Sequence, residues 1–255
     1  MLSLFSVIFF LLGAVIASFV GVIVARLNTG QSFLTSRSRC DACTVTLSSI
    51  SLVPIISYLV LGGRARCCGS RLSLQAPLTE FLLGGLFVLA YITLGPTYAL
   101  AGMCIALSIL LALVLYDLSH QILPFSLLTA FVAASGVTGF LLAPSPVSFS
   151  SSLFIAFLIA SILALIHFFS RGRAMGFADA PLSFGLALLV GPAALPGFFF
   201  SFWIGAVIGI VLLAQRPHGS RMGVEVPFAP YLAAGFLLAY FTQWNPFILV
   251  ESLIR

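Results

Sequence analysis

Residues 98–124 read Tyr-Ala-Leu-Ala-Gly-Met-Cys-Ile-Ala-Leu-Ser-Ile-Leu-Leu-Ala-Leu-Val-Leu-Tyr-Asp-Leu-Ser-His-Gln-Ile-Leu-Pro. From Tyr98 to Tyr116 the stretch holds no charge, and its length is close to the roughly 20 apolar residues a helix needs to cross a bilayer core. It is apolar on every side, which predicts a lipid-immersed helix rather than an amphipathic one on a soluble core. It then ends abruptly on an acid, Asp117. The same pattern recurs along the chain. Apolar runs are found at Leu2–Ala25, Leu78–Leu94, Phe125–Leu142, Ser152–Phe169, Pro181–Leu195, Phe198–Ala214 and Pro230–Val250, which with Tyr98–Tyr116 make eight. Gly191-Pro192 and Pro196-Gly197 interrupt the sixth and seventh, so a single re-entrant hairpin is an alternative there.

Composition agrees. Of 255 residues, 61% are apolar and 7% charged, where a soluble domain carries about 25% charged residues. So few charges exclude a soluble enzyme, a disordered chain and a secreted disulfide scaffold. The expected class is an all-α polytopic membrane protein. The net charge of +5 comes from arginines placed between apolar runs rather than on one face. That distribution argues for topology determinants and against a nucleic-acid partner.

The charges also orient the spans. The first run lacks a basic segment before it and is followed by Arg26, so it reads as a retained helix with its N-terminus outside, not a cleaved signal. With eight spans, ten of the eleven arginines fall on one side and only Arg255 on the other, as the positive-inside rule requires. The chain divides into a first transmembrane helix (1–27), a polar, serine- and arginine-bearing cytoplasmic loop domain (28–77) and a helical membrane domain (78–255). Four of the five cysteines lie in that loop; Cys104 lies inside a span and reads as a small core residue.

Asp117 ends the third span and Asp179 precedes the sixth, so the topology puts both at the cytoplasmic ends of helices, at one depth. An ionisable group there is costly unless it faces an interior or wet cavity, which makes both functional candidates. Two carboxylates a few ångströms apart do not both ionise comfortably and share one proton. Such a pair can deprotonate water with one oxygen and protonate a leaving amine with the other. The alternative is that each caps a helix or marks a boundary, which suits Asp179 just before Pro181. His120 reads as an interfacial side chain or as a proton relay. In Cys40-Asp41-Ala42-Cys43 and Cys67-Cys68 the thiols lie in a reducing compartment, where a metal is the natural reading and a structural disulfide is not. Adjacent cysteines demand a strained turn, so zinc and a metal-free knuckle both stay open.

The motifs taken in order resemble the prepilin peptidases, the type IV prepilin leader peptidases, nearly end to end. Ala17-Ser18-Phe19 with Arg26-Leu27, Cys40-Asp41-Ala42-Cys43, Val53-Pro54-Ile55-Ile56-Ser57-Tyr58-Leu59, Gly63-Arg64-Ala65-Arg66-Cys67-Cys68-Gly69 and Pro77-Leu78-Thr79-Glu80 each resemble a family segment. Asp117 to Pro124 is similar to the first aspartate motif, D-x-x-x-x-x-L-P. Gly176-Phe177-Ala178-Asp179 is similar to the second, G-x-G-D, and Pro227-Phe228-Ala229-Pro230-Tyr231-Leu232 to the segment before the last helix.

The resemblance implies a multi-pass enzyme of the bacterial inner membrane, an aspartic endopeptidase with Asp117 and Asp179 catalytic and no cofactor needed for cleavage. It would remove the basic leader of type IV pilus or type II secretion precursors (prepilins or pseudopilins) after a glycine at the cytoplasmic face, with the substrate helix left in lipid. It further implies N-methylation of the new N-terminus with S-adenosylmethionine, and zinc at Cys40, Cys43, Cys67 and Cys68. Glu80 and Asp41 become candidate contacts for the basic leader. The chain departs from the pattern at Ala178 for glycine, Pro181 for lysine, Phe125 for aspartate and Ala65 for cysteine. The last departure puts methylation in more doubt than cleavage. The competing readings are a proton- or cation-coupled transporter and an inactive family member acting in assembly.

Overall fold

The computed structural model describes residues 4–28, 40, 42–46, 53–173, 175–215 and 227–246. Asp41, Glu225, Glu251 and the arginines 37, 39, 216, 221 and 255 lie outside the described residues. The helices are α1 (Leu4–Arg26), α2 (Ile56–Val60), α3 (Gln75–Leu94), α4 (Tyr98–His120), α5 (Phe125–Leu142), α6 (Pro146–Ser170), α7 (Asp179–Val190), α8 (Ala194–Ala214) and α9 (Ala229–Thr242). No strand is present among the described residues; one isolated antiparallel bridge joins Arg64 and Arg71. The protein is an all-helical, polytopic membrane protein.

The side chains say so as firmly as the helix lengths. On α1 the exposed residues are large, among them Leu4, Phe5, Val7, Ile8, Leu11, Leu12, Val15 and Phe19, while the buried ones include Gly13, Ala14 and Ala17. Turning those eight side chains to water would cost on the order of 12–24 kcal/mol at about 1.5–3 kcal/mol each. That matches or exceeds the whole stability of an ordinary domain. Lipid removes the cost, and the small residues are then free to serve helix packing.

The chain forms two compact units, Met1–Leu100 and Ala101–Arg255. In the first, α1 and α3 run antiparallel and meet backbone to backbone. A Cβ on Gly13 would stand 2.8 Å from Gly84 Cα, and one on Gly84 2.8 Å from the Phe10 carbonyl oxygen. Phe9 stacks on Tyr91 at 4.9 Å beside this crossing.

The second unit departs from the expected span count. Among the described residues six helical runs are long and apolar enough to cross a membrane, the last being Asp179–Ala214, and α9 is a shorter apolar helix of 14 residues. Eight full-length spans are not obtained among the described residues. The expected sixth, α7, has 12 residues, about 18 Å at 1.5 Å per residue, well short of a core of about 30 Å. At Gly191 the backbone takes φ 56°, ψ −118°, and a single 3-10 turn, Gly191–Ala193, leads straight into α8 with no loop.

The two legs nevertheless run in opposite directions. Gly197 meets Phe236, Ser201 meets Leu232 and Gly205 meets Phe228, so α8 is antiparallel to α9. Asp117, at the end of α4, accepts a hydrogen bond from the first residue of α9, Ala229. The start of α9 and the end of α8 therefore share the end of the unit where α4 finishes. Asp179 at the start of α7 interacts electrostatically with Asp117, so α7 begins there and α8 returns. The bend at Gly191 is a hairpin between a short leg and a long one, as Gly191-Pro192 foreshadowed.

Boundaries shift for local reasons. α6 starts at Pro146 rather than Ser152, because Ser145 caps it by accepting the Ser148 N–H at 3.2 Å and Pro146 fits the first turn. α9 ends at Thr242, where Gln243 turns left-handed at φ 54°; the end of the expected run, 247–250, lies outside the described residues.

Candidate active site

Asp117 sits in the last turn of α4, where the helix dipole disfavours an acid. Its presence is not explained by α4 itself. The carboxylate is buried, 6% exposed, and Oδ2 accepts the Ala229 backbone N–H at 3.2 Å, from the N-terminus of α9. A helix N-terminus offers unpaired N–H groups and positive potential to an anion. The folded chain thus supplies across 112 residues what α4 lacks.

Asp179 is the first residue of α7 and 7% exposed. It is not the cap the alternative reading required. The N-cap is Ala178, which makes no side-chain cap bond, and the Asp179 carboxylate instead accepts the Gly176 backbone N–H. The two carboxyl groups lie close enough for the charge of Asp117 to act on Asp179. Two buried carboxyl groups from α4 and α7 are therefore neighbours at one end of the unit, each oriented by one backbone N–H.

The departures from the family pattern cost this site little. Ala178 has φ −66°, ψ −18°, ordinary helical geometry that does not call for glycine. Pro181 falls in the first turn of α7, where its missing N–H has no helical acceptor; the first i→i−4 bond runs from Leu182 N to Ala178 O. Phe125 opens α5 and is exposed. His120 is also exposed and stacks on Tyr116, ring centroids 4.2 Å apart.

The sequence motifs do not single out His167. Its ring lies near the end of α6, hydrogen-bonds through Nδ1 to the Met175 carbonyl at 2.9 Å, and interacts electrostatically with Asp179. Nothing in sequence marks it, since the fold brings it to the site only through the left-handed turn at Arg171 and Gly172. The Ala229 N–H did have a signal, Pro227-Phe228-Ala229-Pro230 opening a helix, but no link to Asp117.

The loop of the first unit gathers the four cysteines. Their sulfurs lie within 4.8 Å of one another, with Cys43 and Cys67 3.1 Å apart and Cys40 and Cys68 3.8 Å apart. Four thiolates about 2.3 Å from a shared metal would stand about 3.8 Å apart, so the donor set fits a tetrahedral ion. The adjacent pair needs no strained residue of its own. Gly69, at φ 70°, takes the left-handed position, and the Ala65 N–H closes the turn on Ser70 O at 2.8 Å. Ala65 is buried inside that turn, so Cys67 and Cys68 supply both sulfurs. The backbone N–H of Cys43, then that of Ala42, lower the Cys40 thiol to about 6. The Cys43 thiol, then Cys40, push Cys67 up to about 12.

Glu80 presents no exposed carboxylate to a leader. It is 6% exposed on α3, and Oε2 accepts the Ile55 backbone N–H at 2.7 Å.

Comparison with known proteins matches residues 11–94 to the bacterial peptidase A24 N-terminal domain and residues 104–213 to the type IV leader peptidase family. A prepilin leader peptidase/N-methyltransferase of Bacillus subtilis (strain 168) is 30% identical over 91% of this chain and 92% of its own. The enzyme so named in Myxococcus xanthus (strain DK1622) is 35% identical over 86% of this chain and 66% of its own length. That of Aeromonas salmonicida (strain A449) is 29% identical over 81% and 72%. The chain belongs to the type IV leader peptidase family. No solved structure matches it. The N-terminal match falls in the first unit, with the cysteine cluster, and the peptidase match in the second, with both aspartates.

Proposed function

We propose that this leader peptidase is an aspartic endopeptidase of the inner membrane that cleaves type IV prepilins or pseudopilins at the cytoplasmic face, with Asp117 and Asp179 as its catalytic pair. The observation that carries the reading is the meeting of two buried carboxyl groups from helices far apart in sequence, each held by a backbone N–H. One carboxylate takes a proton from water as the oxygen adds to the scissile carbonyl carbon. The other, protonated, donates to the carbonyl oxygen. As the carbon–nitrogen bond breaks, the amine takes a proton from the dyad, and one hydroxyl of the diol returns its proton to the dyad as the carbonyl re-forms, leaving one proton between two carboxyl groups. At a helix end this chemistry reaches a bond just outside the bilayer while the substrate's apolar helix stays in lipid, a positioning advantage. Arg26 closing α1 and Arg171 and Arg173 following α6 support a cytoplasmic site and an external N-terminus.

The cysteine cluster fits a metal, and zinc held by Cys40, Cys43, Cys67 and Cys68 would supply a structural cross-link between the two turns of the loop. Methylation is the second activity in the relatives' names. Among the described residues the only acid outside the dyad is Glu80, committed to Ile55. None is left free for the ribose hydroxyls of S-adenosylmethionine, and no step runs through it here.

The test is purified protein with a prepilin peptide, with and without S-adenosylmethionine, read by mass. Leader loss is expected in both arms. An intact peptide in both overturns the proposal, and a further gain of one methyl in the second arm gives the chain the second activity of the relatives' names.

A further inference from the structure

The segment Arg171–Ala178, which carries the chain from α6 to Asp179, is gathered around one side chain. The carbonyl of Met175 can only accept, so the 2.9 Å contact requires the proton of His167 on Nδ1. The ring also packs edge-on against Phe177, centroids 5.6 Å apart. On its other side lies Gly172, whose missing Cβ would stand 3.3 Å from His167 Cε1, and whose φ of 76° lets the Gly172 N–H close the end of α6 on the His167 carbonyl. His167 thus touches the segment at its beginning, middle and end. Among the described residues the segment's other turn bonds span only three residues each: Arg171 N–H to Phe168 O at 3.1 Å and Arg173 N–H to Ser170 O at 3.2 Å at the end of α6, and Asp179 N–H to Gly176 O at 3.3 Å and Ala180 N–H to Phe177 O at 3.2 Å at the start of α7. They shape the turn locally and do not fix its height against α6.

We propose that His167 is a positioning residue for the reaction: by holding Met175 and Phe177 against the end of α6 it sets the height and direction from which Asp179 faces Asp117. This rests on the reading of Asp179 as catalytic. The imidazole acts through the turn rather than through its electrostatic interaction with Asp179, which phenylalanine and asparagine would remove alike. A displacement near 1 Å at a reacting group costs up to about 10²-fold in rate, so losing this tether slows turnover while the site for the substrate's helix stays as it was.

The experiment compares His167→Phe and His167→Asn in the full-length protein in lipid, with Asp179→Asn beside them. Phenylalanine keeps a ring over Gly172 but has no donor; asparagine places its amide nitrogen where the imidazole has Nδ1. The expected result is a kcat about tenfold lower for H167F at unchanged KM, with H167N within about threefold of the parent. Full activity in H167F, or equal loss in both, overturns the inference while an inactive D179N leaves the dyad standing. An active D179N removes the dyad and this inference with it. Should H167F fail to accumulate, H167N alone decides, near-parental turnover supporting the tether and a tenfold loss overturning it.

Discussion

Replacing Glu80 with leucine is expected to loosen the loop that α3 carries. Ile55 holds φ 60°, ψ −52°, the rare and strained γ-turn conformation, of a kind that costs about 1–3 kcal/mol. The segment persists because its N–H is bonded to the buried Glu80 carboxylate at 2.7 Å. Leucine leaves that N–H without an acceptor, a penalty of about 1–3 kcal/mol; taking 2 kcal/mol, local opening rises about 30-fold. Glutamine keeps an acceptor oxygen but loses the charge, at about 1 kcal/mol, or roughly fivefold. Amide exchange of a peptide covering residues 53–60, read by mass in lipid nanodiscs, reports the opening directly. The order parent, E80Q, E80L from slow to fast is expected. Exchange in E80L within twofold of the parent would refute the claim that Glu80 is a strap.

Packing and metal chemistry give two further expectations. Gly84→Ala should lower the thermal midpoint, because its Cβ meets the Phe10 carbonyl oxygen at 2.8 Å, whereas Gly85→Ala, with open space around it, should not; overpacking of this kind costs about 1–3 kcal/mol. Cys43→Ser should remove zinc from the purified protein, measured by elemental analysis. In metal-stripped parent protein, zinc affinity should climb at least about tenfold from pH 6.5 to 7.5 in chelator competition. Cys40, lowered to about 6, is already largely thiolate there, but Cys67, raised to about 12, still holds a proton that the ion must displace. A pH-independent affinity would contradict this donor set.

Much of this was legible in the sequence, because the bilayer leaves few options. Uncharged runs could only be helices, and the alternation of arginines between them was enough to put Asp117 and Asp179 at one end. The exact span count was not legible, because α7 and α8 are joined by one glycine turn and composition alone cannot show where a helix reverses. Alanine replaces the family's glycine at 178 without strain because that position is helical, and the strain expected at Cys67-Cys68 passed to Gly69. His167 and the Ala229 N–H stayed hidden for a common reason. Each acquires its role only when a distant turn folds back, and neither residue type is unusual where it stands.

The most direct test of the whole account is cleavage of a prepilin peptide by Asp117→Asn and Asp179→Asn in lipid, each compared with the parent at equal membrane content. Loss of a positioned acid or base costs about 10²–10⁴-fold, so both variants should fall at least a hundredfold while inserting normally. Turnover within tenfold of the parent in either one would contradict the pairing of these two carboxyl groups as the machinery of hydrolysis.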